Sequence, residues 1–433
     1  MSDERTPGAS GADRAAPDGE TRSGADTTPG VETTTLAQDV ATLGDGPPEA
    51  PGQQSSLARR IWSVAAVPVL SVLLALVVGA VIITLSSVVI TGSLDLALWI
   101  TAYSALIEGG LGIGGKDPLN SLTRTITNSA PLLLAGLSVA LGFKAGLFNI
   151  GATGQFVIGG LAAAIAGALV AELNFILAIP IAIAAGVAAG AFYGFVPGFL
   201  KATTGAHEVV TTIMLNFIAV FTGTALVINL FRSPDFTFDR TADVGAAALP
   251  VIFGRDLHLG VLVAYAFVPI FWWFVWRTTL GFEIRTVGAN PNAARYAGMS
   301  PRRLIMLTMS LCGFLAGLAG VVQFLGEIGF YPATFGTQIG FDAIAIALLG
   351  RSHPIGVMLG ALLFGFMRAG APLMQIRADI PIEIIDVLTA TILFFLAADV
   401  VVRRLFRIRD ERGMAGADKE QQFTKSYGGE SSI

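Results

Sequence analysis

Apolar residues fill long, nearly uninterrupted runs along most of this chain, and short polar stretches separate them. About 20 apolar residues in a row span a bilayer as a helix. The pattern predicts ten crossings, at about residues 63–91, 126–143, 147–170, 175–200, 209–231, 258–276, 304–326, 333–350, 354–372 and 381–402. The alternation of an outer-membrane barrel strand is absent. The fold class is therefore an all-α polytopic membrane protein of about ten transmembrane helices. The third span is open to a re-entrant course, and the eighth is short and polar at its start. Residues 1–56 show no apolar period and are rich in Gly, Pro, Thr, Ala and acids. Such a segment buries too little surface to offset chain entropy, so it is expected to be a disordered, acidic, cytoplasmic tail. The first apolar run begins only near Ile61, which is not the layout of a secretory signal. The organisation predicted is a tail over 1–56, a transmembrane domain over 57–405 and a cytoplasmic C-terminal tail over 406–433.

The segments between spans carry their own signals. Residues 94–107 are apolar and aromatic but too short to cross, and are expected to lie along the outer interface. Residues 277–303 form a long inner loop. Within it Asn290 suits a helix N-cap, Pro291 the first helical position and Gly298 a stop just past the end. A short helix over 291–297 follows, flanked by turns, and Ser300–Pro301 repeats the start signal for the seventh span. With Arg295 and Tyr296 exposed, this helix is either a docking knob for a cytoplasmic partner or an interfacial helix resting on anionic lipid. Glycines four apart (Gly186, Gly190, Gly194, Gly198; Gly313, Gly317; Gly356, Gly360) mark faces where helices approach closely, a packing signal without chemistry.

Charge orients the pattern. Arg59 and Arg60 precede the first span, and Arg403, Arg404, Arg407 and Arg409 follow the last. By the positive-inside rule both termini are cytoplasmic. The 433 residues are 53% hydrophobic and only 13% charged, which excludes an ordinary soluble chain. Cys312 is the only cysteine and sits in an apolar run, so it reads as a buried thiol with no disulfide. With only three histidines there is no metal or nucleophile–base constellation, and no catalytic or metal-ligating residue is assigned. Gly110, Gly115 and Lys116 imitate the start of a phosphate-binding loop. Asp117 stands where Ser or Thr is needed, however, and no buried strand precedes. The chain has no ATP site of its own and no cofactor.

Polar groups inside the spans are the remaining chemistry. Residues 144–160 read K-A-G-L-F-N-I-G-A-T-G-Q-F-V-I-G-G. Asn149, Thr153 and Gln155 stand there among glycines, where hydrocarbon offers them no partner. Two readings are open: a tightly packed helix whose amides bond neighbouring backbones, or a substrate path through a Gly-interrupted span. Asp342 either lines the cavity or makes a structural bond. Arg368 is expected in a salt bridge or snorkelling to the outer surface, Asn216 in an interhelical bond, Glu208 at a helix start, and Gln323 with Glu327 near an outer entrance.

The F-N-I-G-A-T-G-Q of residues 148–155 resembles the F-N-I-G-x-E-G-Q signature of nucleoside-type permeases of bacterial ATP-binding-cassette importers. Thr153 replaces the usual Glu. G-A-N-P-N-A-A-R-Y-A-G-M at 288–299 is similar to the cytoplasmic loop of the wider ribose, branched-chain amino acid and nucleoside permease group, and Ala293, Ala294 and Gly298 keep the core of its coupling motif. G-F-D-A-I-A-I-A-L-L-G-R at 340–351 resembles the group's matching late segment. The likeness implies an importer subunit of the bacterial cell membrane, without chemistry on its solute. A nucleoside is implied first, with a sugar or branched-chain amino acid as the alternative. It also implies ATP hydrolysed on two cytoplasmic ATPase subunits, a second homologous permease and an extracytoplasmic binding protein or lipoprotein. Nucleic acid is not among the partners. The coupling loop is then Asn292, Ala293, Ala294, Arg295, Tyr296 and Gly298, and a bulky charged residue at Ala294 or Gly298 is expected to uncouple transport with the membrane fold intact. An ion-coupled secondary transporter, which would carry mid-membrane carboxylates and need no docking loop, is the competing class.

Overall fold

The computed structural model describes residues 57–397 except 116 and 336–337. The expected tails, and the arginines from Arg403 onward, lie outside them. The chain divides at Arg60, and the architecture below is that of the body beginning at Ile61. Hydrocarbon cannot hydrogen-bond a backbone, so each apolar run closes its own bonds as a helix. In order these are α1 (Leu57–Thr91), α2 (Leu98–Leu111), α3 (Pro118–Lys144), α4 (Ala152–Leu169), α5 (Phe175–Thr204), α6 (Glu208–Asn229), α7 (Leu259–Arg277), α8 (Thr279–Ala289), α9 (Pro291–Tyr296), α10 (Pro301–Val321), α11 (Ile339–Leu349), α12 (Pro354–Ala378) and α13 (Ile384–Ala397). A π-helical turn, Val322–Ile328, extends α10, and a two-strand hairpin, β1 (Val251–Phe253) with β2 (Leu257–His258), precedes α7. Among the described residues eight helices are long and apolar enough to cross a membrane, and Ile339–Leu349 and Ile384–Phe395 are shorter apolar helices where the eighth and tenth spans were expected.

Helix α3 is central, with 83% of its most apolar window buried, and packs against α7, α10, α11 and α12. It begins at Pro118 rather than near residue 126, because its polar opening turns find partners inside the protein. Thr125 Oγ1 donates to the Gly110 carbonyl at 2.6 Å, and Ser129 Oγ meets Tyr265 Oη at 2.6 Å. Helix α1 is peripheral. Ser71, Ala75, Gly79, Ile83 and Ser87 form its buried face, while Val69, Leu73, Val77, Val81 and Leu85 point outward. A four-residue period of this kind belongs to a helix with one face on protein and one on lipid.

Helices α4, α5 and α10 meet through glycine. A Cβ on Gly190 would lie 2.6 Å from the Gly313 carbonyl oxygen, and one on Gly159 2.4 Å from Gly317 Cα. Any side chain there would force the backbones apart. Helix α2, expected along an interface, packs side-on against α3 and α12, burying Ala102, Ala105, Leu106 and Gly110. The body thus has two ends. Lys144, Lys201, Arg277, α8, α9 and Arg351 gather at one, called here the Arg295 end. The β-hairpin, Arg240, Arg255 and Arg377 gather at the other, the Arg240 end.

Candidate functional site

The backbone breaks at Gly146, whose φ of +68° is a conformation that favours glycine, and helix resumes only at Ala152. The break folds residues 147–151 back into the body beside α3. Asn149 and Gln155 are buried there, at 0% and 1% exposure. Asn149 Nδ2 donates to Gln155 Oε1 at 3.0 Å, and Gln155 Nε2 donates to Asn149 Oδ1 at 3.2 Å. Asn149 Nδ2 also lies 3.4 Å from Ser138 Oγ, which donates to the Cys312 carbonyl at 2.7 Å. A closed pair of amides gives each of these buried groups a partner within the protein. Of the two readings the sequence left open, this geometry has the features of the packed one: in this conformation the two amides spend their bonding on each other and on α3. Asn216 completes the clamp from α6, accepting from Gly154 N at 2.8 Å and donating to the Ile150 carbonyl at 2.9 Å. It makes the interhelical bond expected of it.

Thr153 faces the other broken span. A Cβ on Gly340 would fall 2.0 Å from Thr153 Oγ1, so the starts of α4 and α11 touch. Helix α11 begins only at Ile339, and residues 329–335 run towards it without helix from the Arg240 end. Asp342, in its first turn, is ion-paired with Arg368 of α12. Beside this pair a cleft of about 400 Å³ is lined by Phe335, Gln338, Ile339, Arg368, Ala371, Ile382, Ile385 and Asp386. In the π-helical turn Gln323 Nε2 donates to Glu327 Oε2 at 2.7 Å. Glu327 lies within electrostatic reach of Arg368, Asp256 and Arg124. Polar groups therefore run from the Arg240 end down to the Asp342–Arg368 pair. The sequence singled out Asp342 but not the cleft beside it, since Phe335, Gln338 and Asp386 come together only when α11, α12 and α13 pack.

At the Arg295 end, Asn290 Oδ1 accepts from Asn292 N and Ala293 N at 3.0 and 3.1 Å, so α9 starts where the cap signal put it. Gly298, at φ +81°, ends it. Asn292, Ala293, Arg295 and Tyr296 are exposed, Tyr296 at 94%, whereas Ala294 is fully buried. A bulky charge at Ala294 would therefore disrupt the packing of the loop itself, and any side chain at Gly298 would strain its backbone. Neither substitution isolates docking, a correction to the sequence expectation. Helix α8 forms where the sequence predicts turns. Its Thr278 cap, whose Oγ1 accepts from Gly281 N at 3.0 Å, lies in a stretch with no helix-start motif beyond that one residue. The loop and the Gly-rich break are neighbours. A Cβ on Gly288 of α8 would sit 2.3 Å from the Lys144 carbonyl oxygen, and one on Gly146 3.0 Å from the Gly288 carbonyl oxygen. The Gly110–Asp117 imitation of a phosphate loop runs off the end of α2 with no strand before it among the described residues.

Two broken spans meeting beside a charge-paired cleft, inside a helical body with a capped knob at one end, define a multi-pass transport permease. Residues 121–397 match the family of branched-chain amino acid transport system permease components, and the chain belongs to that family. It is 36% identical over 344 residues to a guanosine ABC transporter permease protein of Bacillus subtilis, covering 78% of this chain and 94% of that one. It is 35% identical over 329 residues to a nucleoside ABC transporter permease protein of Lactococcus lactis, 73% of this chain and 88% of that one. A glucose ABC transporter permease protein of Haloferax volcanii is 32% identical over 361 residues, 79% of this chain and 90% of that one. No solved structure gives a match. The chain is thus a membrane transport component rather than a catalyst, and ATPase partners and a second permease go with it.

Proposed function

We propose that this chain is the permease subunit through which an importer moves a nucleoside into a bacterial cell. The carrying observation is the 36% identity to a guanosine permease over 94% of that protein's length. The cleft suits a neutral solute, because Arg368, the one cation lining it among the described residues, is already paired with Asp342. In this reading both termini and the Arg295 end are cytoplasmic, and residues 57–405 form the permease domain. ATP is hydrolysed on the two ATPase subunits, and a binding protein or lipoprotein delivers solute at the Arg240 end. The exposed residues Asn292, Ala293, Arg295 and Tyr296 meet an ATPase, held in place by buried Ala294 and by Gly298. The substrate path passes Thr153 and Asp342, and the Asn149–Gln155 pair forms its floor. The Gly288–Lys144 contact carries motion of α8 and α9 to that floor.

The test is uptake of labelled guanosine, adenosine, glucose and leucine by cells carrying the chain with its full set of partners. Saturable uptake of the nucleosides is expected. Because of the glucose-permease likeness, sugar uptake without nucleoside uptake is the result that would overturn the assignment.

A further inference from the structure

We propose that the cleft between the start of α11 and helices α12 and α13 is a nucleoside-binding site, in which Phe335 stacks the base, Gln338 reads its edge and Asp386 holds the ribose hydroxyls. The assignment rests on the nucleoside reading above and adds residues that neither the motifs nor the family singled out. At about 400 Å³ the cleft is within the roughly 300–1,000 Å³ of small-molecule sites. Its walls divide by chemistry. Phe335 is half-buried and anchored from behind, its ring centroid 5.0 Å from Phe324 and 5.8 Å from Phe156, so its position is fixed. A fixed ring bordering a cleft is a ready platform for a flat base. Gln338 is exposed at the mouth and, as the residue before α11, makes no capping bond with its side chain. Its amide is therefore available both to donate and to accept, as a base edge requires.

The ionic groups suit a neutral solute that carries a diol. Asp342, at 8% side-chain exposure, neutralises Arg368, which is 34% exposed to the cleft. Asp386 is exposed on the opposite wall. Counted formally, the three carry one net negative charge, so the cleft offers no surplus cation to the carboxylate of an amino acid. Carboxylate oxygens accept hydrogen bonds from a vicinal diol without penalty. A monosaccharide would satisfy Asp386 but leave Phe335 and Gln338 without a flat, edge-bonding partner.

The experiment uses the assembled transporter. Cys312 is the chain's only cysteine and is buried, so Gln338→Cys places a single reachable thiol in this chain at the cleft. A fluorescent maleimide, read on this chain's band, should label it. Guanosine or adenosine at concentrations that saturate uptake should slow labelling at least fivefold, and glucose or leucine should not. Phe335→Leu, which keeps apolar bulk, should raise the KM for guanosine about tenfold while the complex still assembles. Asp386→Asn should lower the preference for ribonucleosides over 2′,3′-dideoxynucleosides. Absent labelling, absent protection, or an unchanged KM, in a transporter whose wild type moves nucleosides, would overturn the cleft assignment. Protection by glucose as strong as by guanosine would overturn the base-stacking assignment. A wild type that moves no nucleoside overturns the functional reading itself, a result seen in uptake before any variant is made.

Discussion

Asn149 and Gln155 show how a polar side chain survives at membrane depth. Each amide is the other's partner, and the remaining donor reaches Ser138. Removing one strands the other, which costs about 1–3 kcal/mol in a buried site. Asn149→Ala or Gln155→Ala is therefore expected to lower the melting temperature of the purified complex as well as slow uptake. The double change Asn149→Leu with Gln155→Leu should restore part of the stability and none of the uptake, measured by thermal unfolding beside transport. If both single variants melt like wild type, the pair is not a clamp. His258, in strand β2 of the hairpin at the Arg240 end, is a second case. It is 1% exposed, and among the described residues its Nδ1 finds no partner. Burial pushes its pKa from 6.5 down to about 4. The folded protein keeps this ring neutral while the unfolded chain protonates near 6.5. Its contribution is thus full above that pH and is lost as pH falls towards 4. Melting temperatures at pH 7.5 and 5 should differ, and the difference should shrink in His258→Asn.

At the scale of elements, the packing of α5 on α10 and the seating of α8 beneath α3 carry the mechanics. Gly190 touches Gly313 and Gly317 backbone to backbone, so Gly190→Leu should cost about 3 kcal/mol or abolish membrane-stable expression. The loop separates more finely. Tyr296→Ala removes a side chain that touches almost nothing of this chain, so it should leave stability unchanged and weaken ATPase co-purification. Gly288→Val should do the reverse, keeping the ATPase bound while lowering uptake per ATP hydrolysed, because its side chain drives into the turn after α3. Equal coupling in Gly288→Val and wild type would remove the proposed link between loop and path.

For the whole molecule, the basic residues of the body sort into two groups, one at each end. Lys144, Lys201, Arg277 and Arg351 fall at the end that carries α9, and Arg240, Arg255 and Arg377 at the other. A thiol introduced at Tyr296 should react with a membrane-impermeant reagent only in inverted vesicles, and one at Phe253, in the hairpin, only in intact cells. The chain alone in liposomes should neither hydrolyse ATP nor accumulate solute. Both activities should return when the ATPase subunits and second permease are added, and ion-driven uptake by the single chain would place it among secondary transporters instead.

The sequence by itself determined most of the helices, including the short capped one at Pro291–Tyr296. Apolar length must become helix in hydrocarbon, and caps such as Asn290–Pro291 act locally. It also singled out the stretches 144–160 and 288–299, and of the salt bridge or snorkelling it left open for Arg368 the ion pair with Asp342 is the one formed. Hydropathy misplaced the start of α3, because Thr125 and Ser129 are satisfied by groups distant in sequence, Gly110 and Tyr265. It gave no sign of α8, whose seat is the backbone of another element. The direction in which Asn149 and Gln155 face, and the gathering of Phe335, Gln338, Arg368 and Asp386 around one cleft, were decided only by tertiary structure. The reason is that a side chain's partner in a membrane interior is chosen by which helices pack together, and helix packing is settled by close contacts such as Gly190 on Gly313, between residues far apart along the chain.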